Sequence, residues 1–278
     1  MIDRCYLEIT NICNLDCVFC PKNNRAKRKM TVEEFEHLTD QLKGQIRFLY
    51  FHLMGEPMLH PHLDDFIRIA RDKGFIPILT TNGTLLAHGL KTLPYKIQIS
   101  LHSHEGNGRD DADRYIGEVM QFVLKAAAEG TIIVLRFWNQ GGFDSSNESL
   151  LDKIAEYVPR PWTERYDGWK LSDKIYLEYD QMFEWPDEEH EEYGGEEVFC
   201  YALRNQVGVL VDGTVVPCCL DHDGSVPLGN LHHQSLAEIL SSPRAQALYD
   251  GFSHHRAVEP FCKRCEYASV TKRFRRKK

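Results

Sequence analysis

Several features of specialised protein classes are missing from this sequence. No apolar run approaches the roughly 18 residues that span a bilayer, and the first residues carry no signal-peptide pattern. Basic residues are not in excess, since 33 Lys and Arg stand against 41 Asp and Glu, for a formal net charge of -8. General nucleic-acid binding needs a basic surface, so this charge argues against it. We therefore expect a cytoplasmic, monomeric protein with no membrane and no nucleic-acid partner.

Cysteine is absent from most of the chain, between Cys20 and Cys200. The nine cysteines cannot all pair with one another, because nine is odd, and an intracellular compartment keeps most thiols reduced. They fall into two groups, Cys5, Cys13, Cys17 and Cys20 near the start and Cys200, Cys218, Cys219, Cys262 and Cys265 near the end. Two groups separated by a cysteine-free body predict two metal sites.

Strand candidates alternate with helix candidates over the first part of the chain. The strand candidates are Tyr6–Thr10, Arg47–His52, Ile76–Thr81, Lys96–Leu101, Thr131–Trp138 and Lys174–Tyr179. The helix candidates are Thr31–Lys43, His62–Lys73, Thr84–Leu90, Asp111–Glu129 and Glu148–Tyr157. This alternation predicts an α/β fold with a parallel sheet, and six units suit an open, partial (β/α)6 barrel. Ligands of such folds bind after the carboxyl ends of the strands.

The remainder of the chain does not continue the strand–helix alternation. Residues 184–197 hold eight carboxylates and read as a solvated linker. Val207–Val211 and Thr214–Val216 flank an Asp-Gly turn and predict a β-hairpin, and Ser235–Tyr249 reads as a helix. The predicted regions are therefore a partial barrel at 1–183, an acidic linker at 184–197, a small second domain at 198–267 and a basic tail at 268–278.

Three cysteines follow the first strand with the spacing Cys13-x-x-x-Cys17-x-x-Cys20. Three thiolates in one short loop can bind three corners of a [4Fe–4S] cluster and leave the fourth iron open to a small ligand. Zinc would need a fourth protein ligand, which only His52 or His60 could supply. The spacing therefore favours an open iron–sulfur cluster.

The stretch Cys13-Asn14-Leu15-Asp16-Cys17-Val18-Phe19-Cys20 resembles the cluster motif of the radical S-adenosylmethionine (SAM) enzymes. The resemblance implies that SAM chelates the open iron. It also implies reductive cleavage of SAM to a 5′-deoxyadenosyl radical, which abstracts hydrogen from a substrate. A flavodoxin- or ferredoxin-type protein is then the expected reductant.

Further matches to this family follow successive strands. Gly55-Glu56-Pro57 comes after the second strand and is similar to the family motif that holds the SAM amino group. Taken alone each match is weak, because Gly-Glu-Pro and Asn-Gly also occur in ordinary turns. The resemblance implies a role in cofactor binding for Phe19, Gly55, Glu56, Pro57, Asn82, Ser100 and Arg136. Arg136 is expected to pair with the SAM carboxylate, since Arg offers a bidentate fork.

Four of the late cysteines can converge on one site, namely Cys200, Cys218, Cys262 and Cys265. By spacing alone a structural zinc ion is as good a reading as a cluster. The region resembles the twitch domain, a shortened SPASM domain of radical SAM enzymes. That resemblance implies one fully ligated auxiliary [4Fe–4S] cluster, used for electron transfer or as a structural prop. The chain ends thirteen residues after Cys265, so we expect a single auxiliary cluster.

Cys5 and Cys219 are left over, and both suit small buried positions. The alternative for either is a hydrogen-atom donor that quenches a substrate radical. Glu8 alternates with apolar residues along the first strand and, on the inner face of the barrel, would touch substrate or SAM. The catalytic candidates are therefore Cys219 and Glu8.

The family performs many reactions, so the sequence leaves the substrate open. The first reading is a two-electron oxidation of a small molecule or side chain, with the auxiliary cluster accepting an electron. The layout is similar to that of twitch-bearing aminocyclitol dehydrogenases. The alternatives are a peptide maturase or epimerase with a Cys donor, maturation of another protein's side chain, and a non-catalytic zinc-stabilised scaffold. The basic segment Lys22–Lys29 is a solvated loop or attracts an acidic partner.

Overall fold

The computed structural model describes residues 2–187 and 197–269. The strands are β1 (Arg4–Leu7), β2 (Phe48–Tyr50), β3 (Ile76–Thr81), β4 (Lys96–Ser100), β5 (Ile132–Gln140), β6 (Thr163–Arg165), β7 (Gly168–Ser172), β8 (Ile175–Gln181), β9 (Gln206–Val209), β10 (Thr214–Val216) and β11 (Gly229–Asn230). The helices are α1 (Val32–Leu42), α2 (Leu63–Asp72), α3 (Ala112–Ala128), α4 (Asn147–Tyr157), α5 (Leu236–Leu240), α6 (Pro243–Ser253) and α7 (Pro260–Lys263). Within the described residues, no helix has the length and apolar character needed to cross a membrane.

All eleven strands belong to one sheet, in the order β11-β10-β9-β1-β2-β3-β4-β5-β8-β7-β6. The strands from β9 to β8 in this order pair in parallel, and an antiparallel extension flanks them at each end. This confirms the predicted α/β class. Six of the parallel strands come from the predicted strand–helix units, and the hairpin strand β9 adds a seventh next to β1.

The two faces of β1 differ in character, one apolar and one polar. Cys5 and Leu7 are fully buried in the main hydrophobic core together with Phe35 of α1. The alternate residues Tyr6 and Glu8 therefore lie on the opposite face of the sheet, since side chains alternate along a strand. The barrel thus has an apolar layer under its helices and polar side chains inside.

The start of α1 shows how local sequence fixes an element. The Glu34 amide donates to Thr31 Oγ1 at 3.1 Å, and the Thr31 amide donates to Glu34 Oε2 at 2.8 Å. This capping box satisfies two amides that the helix itself leaves without partners. It confirms the helix start indicated by the sequence.

Two predicted helices were wrong. The segment predicted as a helix at Thr84–Leu90 holds only the 3₁₀ turn Leu86–His88, and Gly89, with a φ of 72°, ends it. The helix predicted over Ser235–Tyr249 is interrupted by Pro243, whose ring removes an amide donor, so α5 and α6 are separate helices. The antiparallel hairpin β6–β7 was not predicted.

The hairpin predicted around the Asp-Gly turn is confirmed as β9 and β10. Gly213 takes a φ of 85° at the turn, a conformation that favours glycine. Because β9 pairs with β1, the C-terminal region continues the sheet of the barrel. Residues 188–196 of the predicted linker and 270–278 of the predicted tail lie outside the described residues.

Candidate iron–sulfur and SAM-binding site

The early cysteine loop rests on the segment that follows β4. The Val18 amide donates to the Gly106 carbonyl at 2.9 Å, and the Phe19 ring lies 5.2 Å from the His102 ring, centroid to centroid. A Cβ atom at Gly106 would lie 2.2 Å from Phe19 Cε1. Glycine is therefore required at this position if Phe19 is to seat the loop as it does.

Two side-chain amides approach the sulfur atoms of this loop. Asn107 Nδ2 donates to Cys17 Sγ at 2.9 Å, and Asn82 Nδ2 lies 4.0 Å from Cys13 Sγ. Hydrogen bonds to cluster sulfurs help set the reduction potential. Sequence reasoning predicted Asn82 and missed Asn107, although the rule that ligands bind after strand ends points to the segment beyond β4.

Glu56 links the loops after β2 and β3. Its fully buried carboxylate accepts hydrogen bonds from Thr81 Oγ1 at 2.8 Å, the Asn82 amide at 2.7 Å and the Met58 amide at 2.9 Å. Burial raises the pKa of Glu56 to about 7, although these three donors favour the charged form. The carboxylate therefore organises the pocket next to the cysteine loop.

Gly55 brings this loop against the chain that leads into the cysteines. Its φ is 79°, and an added Cβ would lie 2.4 Å from the Thr10 carbonyl oxygen. The next residue, Glu56, donates its amide to the Ile12 carbonyl at 2.9 Å. Pro57 then starts a short 3₁₀ turn. The Gly-Glu-Pro motif thus docks directly on the base of the cysteine loop.

Ser100 and Arg136 lie side by side, since they are register partners on β4 and β5. Arg136 is buried, and its guanidinium stacks on the Trp138 ring with 3.7 Å between its Cζ and the ring centroid. Burial lowers the pKa of Arg136 to about 10. Among the described residues its Nε atom has no hydrogen-bond partner. The Nε–H group of Arg136 can therefore donate a hydrogen bond to an oxygen atom of a bound molecule.

Three further polar side chains surround Arg136 inside the barrel, and with it they form the interior cluster: Tyr6, His52, Arg136 and Cys219. The Tyr6 and His52 rings are 5.4 Å apart. Burial, followed by the charge of Arg136, lowers the pKa of His52 to about 3. Burial raises the pKa of Cys219 to about 12, while its own backbone amide and the charge of Arg136 oppose the rise.

His52 Nδ1 is buried without a partner in the described part of the chain. The imidazole is neutral at physiological pH, so this atom can accept a hydrogen bond from a ligand. The interior cluster thus combines one donor and one acceptor that no described residue engages. Cys5, in contrast, is fully buried in the apolar core.

Glu8 does not present a free carboxylate. It is fully buried and accepts from both terminal nitrogens of Arg25, at 2.8 and 2.7 Å. The Met54 and Val211 amides donate to the same carboxylate at 3.2 and 3.0 Å. With both oxygens occupied, this geometry favours a linking role over contact with substrate or SAM.

The four late cysteines lie around the end of the β9–β10 hairpin. Cys218 follows β10, Cys262 lies in α7, and Cys200 precedes β9. Burial raises the pKa of Cys218 well above its usual range, and the thiols of Cys219, Cys200, Cys262 and Cys265, in that order, raise it further. The four side chains are therefore near enough to interact electrostatically.

The donor sets fit iron–sulfur clusters. Thiolate sulfur is the ligand type of [4Fe–4S] clusters, which take one Cys on each of four irons. The early loop offers three cysteines, which could bind three irons and leave the fourth open, whereas the late set offers four. In residues 2–187 and 197–269, no three His, Cys, Asp or Glu side chains are grouped as ligands of a single metal ion.

Two family models match the chain. The model of the radical SAM superfamily matches residues 7–128, and the SPASM iron–sulfur cluster-binding domain matches residues 200–266. Together they match more than half of the chain. The protein therefore belongs to the radical SAM superfamily and carries a C-terminal SPASM-type domain. Its cofactors are SAM, a [4Fe–4S] cluster and an auxiliary iron–sulfur cluster.

Curated relatives support the same family. The S-adenosyl-L-methionine-dependent 2-deoxy-scyllo-inosamine dehydrogenase of Niallia circulans is 24% identical over 282 aligned residues, which cover 95% of this chain and 92% of that protein. The tungsten-containing aldehyde ferredoxin oxidoreductase cofactor-modifying protein of Pyrococcus furiosus is 36% identical over 85 residues. That alignment covers 29% of this chain and 24% of the length of the relative.

Two solved structures show the same fold. BtrN in complex with AdoMet and 2-DOIA has a TM-score of 0.59 at 19% identity, covering 97% of this chain and 95% of that chain. SuiB of Streptococcus suis bound to the precursor peptide SuiA has a TM-score of 0.60 at 16% identity, covering 97% of this chain and 71% of that chain. These likenesses confirm the radical SAM barrel with a C-terminal SPASM-type region.

Proposed function

We propose that the protein is a radical SAM oxidoreductase that oxidises an alcohol or amine carbon of a small molecule bound inside the barrel. The observation that carries this proposal is the interior cluster, in which Arg136 Nε and His52 Nδ1 have no hydrogen-bond partner among residues 2–187 and 197–269. The end-to-end match to a SAM-dependent dehydrogenase supports it.

We propose that Cys13, Cys17 and Cys20 hold the SAM-binding cluster, and that Cys200, Cys218, Cys262 and Cys265 hold the auxiliary cluster. When bound, SAM and its cluster supply the 5′-deoxyadenosyl radical that removes a hydrogen atom, and the auxiliary cluster supplies an acceptor for one electron. The domain boundaries, the monomeric state, the cytoplasmic location and a flavodoxin- or ferredoxin-type reductant belong to the same proposal.

The residues of the chain then orient the substrate. Arg136 donates from Nε to a substrate oxygen, since no residue described in the structure takes that hydrogen bond. His52 Nδ1 accepts the hydrogen bond of the substrate hydroxyl and takes its proton as the carbon is oxidised. The pairing of Arg136 with the SAM carboxylate stays a prediction. Arg136→Lys separates the two roles, because it would weaken SAM binding in one case and raise the KM for substrate in the other.

The test uses anaerobically purified protein with SAM, dithionite and candidate amino alcohols, starting with 2-deoxy-scyllo-inosamine. We expect a ketone two hydrogens lighter than the substrate, together with 5′-deoxyadenosine that carries deuterium from a labelled carbon. SAM cleavage with label transfer but without loss of two hydrogens would contradict the oxidation. A protein that does not cleave SAM under reducing conditions would contradict the wider proposal.

Epimerisation is the second candidate, because the interior cluster includes the thiol of Cys219, close to the charge of Arg136. In that reaction Cys219 gives a hydrogen atom to the opposite face of the substrate, which can be a peptide, and one electron from the external reductant and one solvent proton restore the thiol. The product formed in D₂O would then carry one deuterium from solvent, and it would differ from the substrate in mass by that deuterium alone. Cys219→Ala would abolish this incorporation, whereas the oxidation reaction would continue in that variant.

A further inference from the structure

The two iron–sulfur regions meet at a small apolar layer. It is a separate hydrophobic cluster composed of Leu53, Met54, Leu210 and Val216. Cys20 of the early loop packs against this layer, and so does Cys219, the neighbour of a proposed auxiliary ligand. Besides the pairing of β9 with β1, these side chains are therefore a second contact between the two regions.

Glu8 lies next to this layer and bonds to both of its sides. The Met54 amide donates to Glu8 Oε1 at 3.2 Å from the barrel side. The Val211 amide donates to Glu8 Oε2 at 3.0 Å from the turn of the second hairpin. A single carboxylate on the inner face of the sheet thus bridges the barrel and the C-terminal region.

Arg25 extends the bridge to the cysteine loops themselves. Its terminal nitrogens donate to Glu8, and its Nε donates to the His222 carbonyl at 2.9 Å. The neighbouring Asn24 donates from its amide and its side chain to Asp223, at 2.9 and 3.3 Å. The chain just after Cys20 is therefore bound to the chain just after Cys219.

The Glu8–Arg25 pair is better suited to fixing the orientation of the two regions than to stabilising the fold. A paired, buried charge contributes little net stability, because desolvation offsets the attraction. A bidentate guanidinium–carboxylate contact does fix distance and angle, because two parallel hydrogen bonds must form at once. Both Glu8 oxygens and the Arg25 Nε are used, so a small shift of either region would break several bonds together.

We propose that Glu8 and Arg25 are positioning residues that hold the auxiliary-cluster segment in a fixed place relative to the SAM-cluster loop. This role is independent of which reaction the enzyme performs. It also accounts for the basic residue at position 25, whose guanidinium is occupied inside the protein rather than offered to an acidic partner.

The first test is hydrogen exchange on the holoprotein, comparing wild type with Glu8→Gln. The Gln amide cannot accept from all four donors, so amides at 210–212 and 222–224 should exchange at least about fivefold faster while those of β3 to β5 stay unchanged. Glu34→Gln is the matched control, because Glu34 pairs with Arg28 within the barrel. That variant should leave both C-terminal segments as in wild type.

The second readout is the magnetic interaction between the two reduced clusters, measured by EPR. We expect Glu8→Gln to change the line shape and spin relaxation while iron content stays at the wild-type level. Arg25→Lys keeps the charge but not the two-pronged contact, so it should give the same change if Glu8→Gln does not fold.

Unchanged exchange at 210–212 and 222–224, with unchanged EPR coupling, would overturn the proposal. Failure of both variants to fold would also overturn it, because the pair would then determine folding rather than placement. Failure of substrate oxidation alone would contradict the proposed reaction and leave this link untouched, so the two outcomes are distinguishable.

Discussion

The two thiol sites are built in opposite ways. The early site is one contiguous loop, Cys13 to Cys20, laid across strand ends, and Cys13 is exposed. The late site draws Cys200, Cys218 and the pair Cys262 and Cys265 from separate segments around a hairpin end. A loop on a surface leaves one side open to a ligand, whereas converging segments can enclose a complete ligand set. This difference predicts separate functions for the two sites, with a ligand bound at the early site and none at the late site.

Removing ligands gives the largest expected contrast. Cys17→Ala should lower SAM cleavage by about 100-fold or more, because the loop has no spare thiol for its cluster. Cys265→Ala should leave SAM cleavage near the wild-type rate and abolish the oxidised product. Quantifying 5′-deoxyadenosine and product in the same reaction checks both variants. Equal loss of cleavage in the two variants would break the comparison.

Gly55→Ala tests the close approach behind the early site. An added Cβ meets the Thr10 carbonyl oxygen at 2.4 Å at a φ of 79°, so we expect about 3 kcal/mol or more of destabilisation. Gly74→Ala is the control, since its φ is 90° and its added Cβ meets nothing within 4 Å. It should cost only about 1–2 kcal/mol. Anaerobic thermal unfolding of both variants measures the difference.

Asn107→Ala sharpens the comparison at the level of the sulfur atoms. The side chain donates to Cys17 Sγ at 2.9 Å, and hydrogen bonds to sulfur stabilise the reduced cluster. Its removal should make the reduction potential of the SAM cluster more negative and leave that of the auxiliary cluster unchanged. Potentiometric EPR titration follows both clusters. Equal shifts in both would contradict the assignment of Asn107 to the early site.

The smallest effect concerns the pH dependence of stability. The pKa of His52 is lowered by burial from 6.5 to about 3 in the folded chain. The unfolded chain binds more protons between these values, so stability present above pH 6.5 is lost as the pH falls. At pH 5.5 this amounts to about 1.4 kcal/mol. His52→Gln should reduce the fall in unfolding temperature between pH 8 and 5.5, whereas Tyr50→Phe should preserve it.

The sequence predicted the secondary-structure elements that have strong apolar patterns and the two sites that are marked by grouped cysteines. The strand Ile76–Thr81 has the predicted bounds, and the Asp-Gly hairpin forms where expected. The hairpin β6–β7 escaped prediction because β6 is exposed throughout and has no apolar face. Arg25 and Asn107 escaped because their roles depend on partners far away in the sequence. Glu8 was placed on the inner face, but its partner could not be known before the chain was folded.

Iron and sulfide content, measured on anaerobically purified wild type and on Cys262→Ala/Cys265→Ala, tests the account most directly. Two complete clusters predict about eight irons per wild-type chain and about four in the variant, which should still cleave SAM. About four irons in both proteins would show that the late cysteines hold no cluster. Stoichiometric zinc in the wild type, lost in the variant, would contradict the account in the same way.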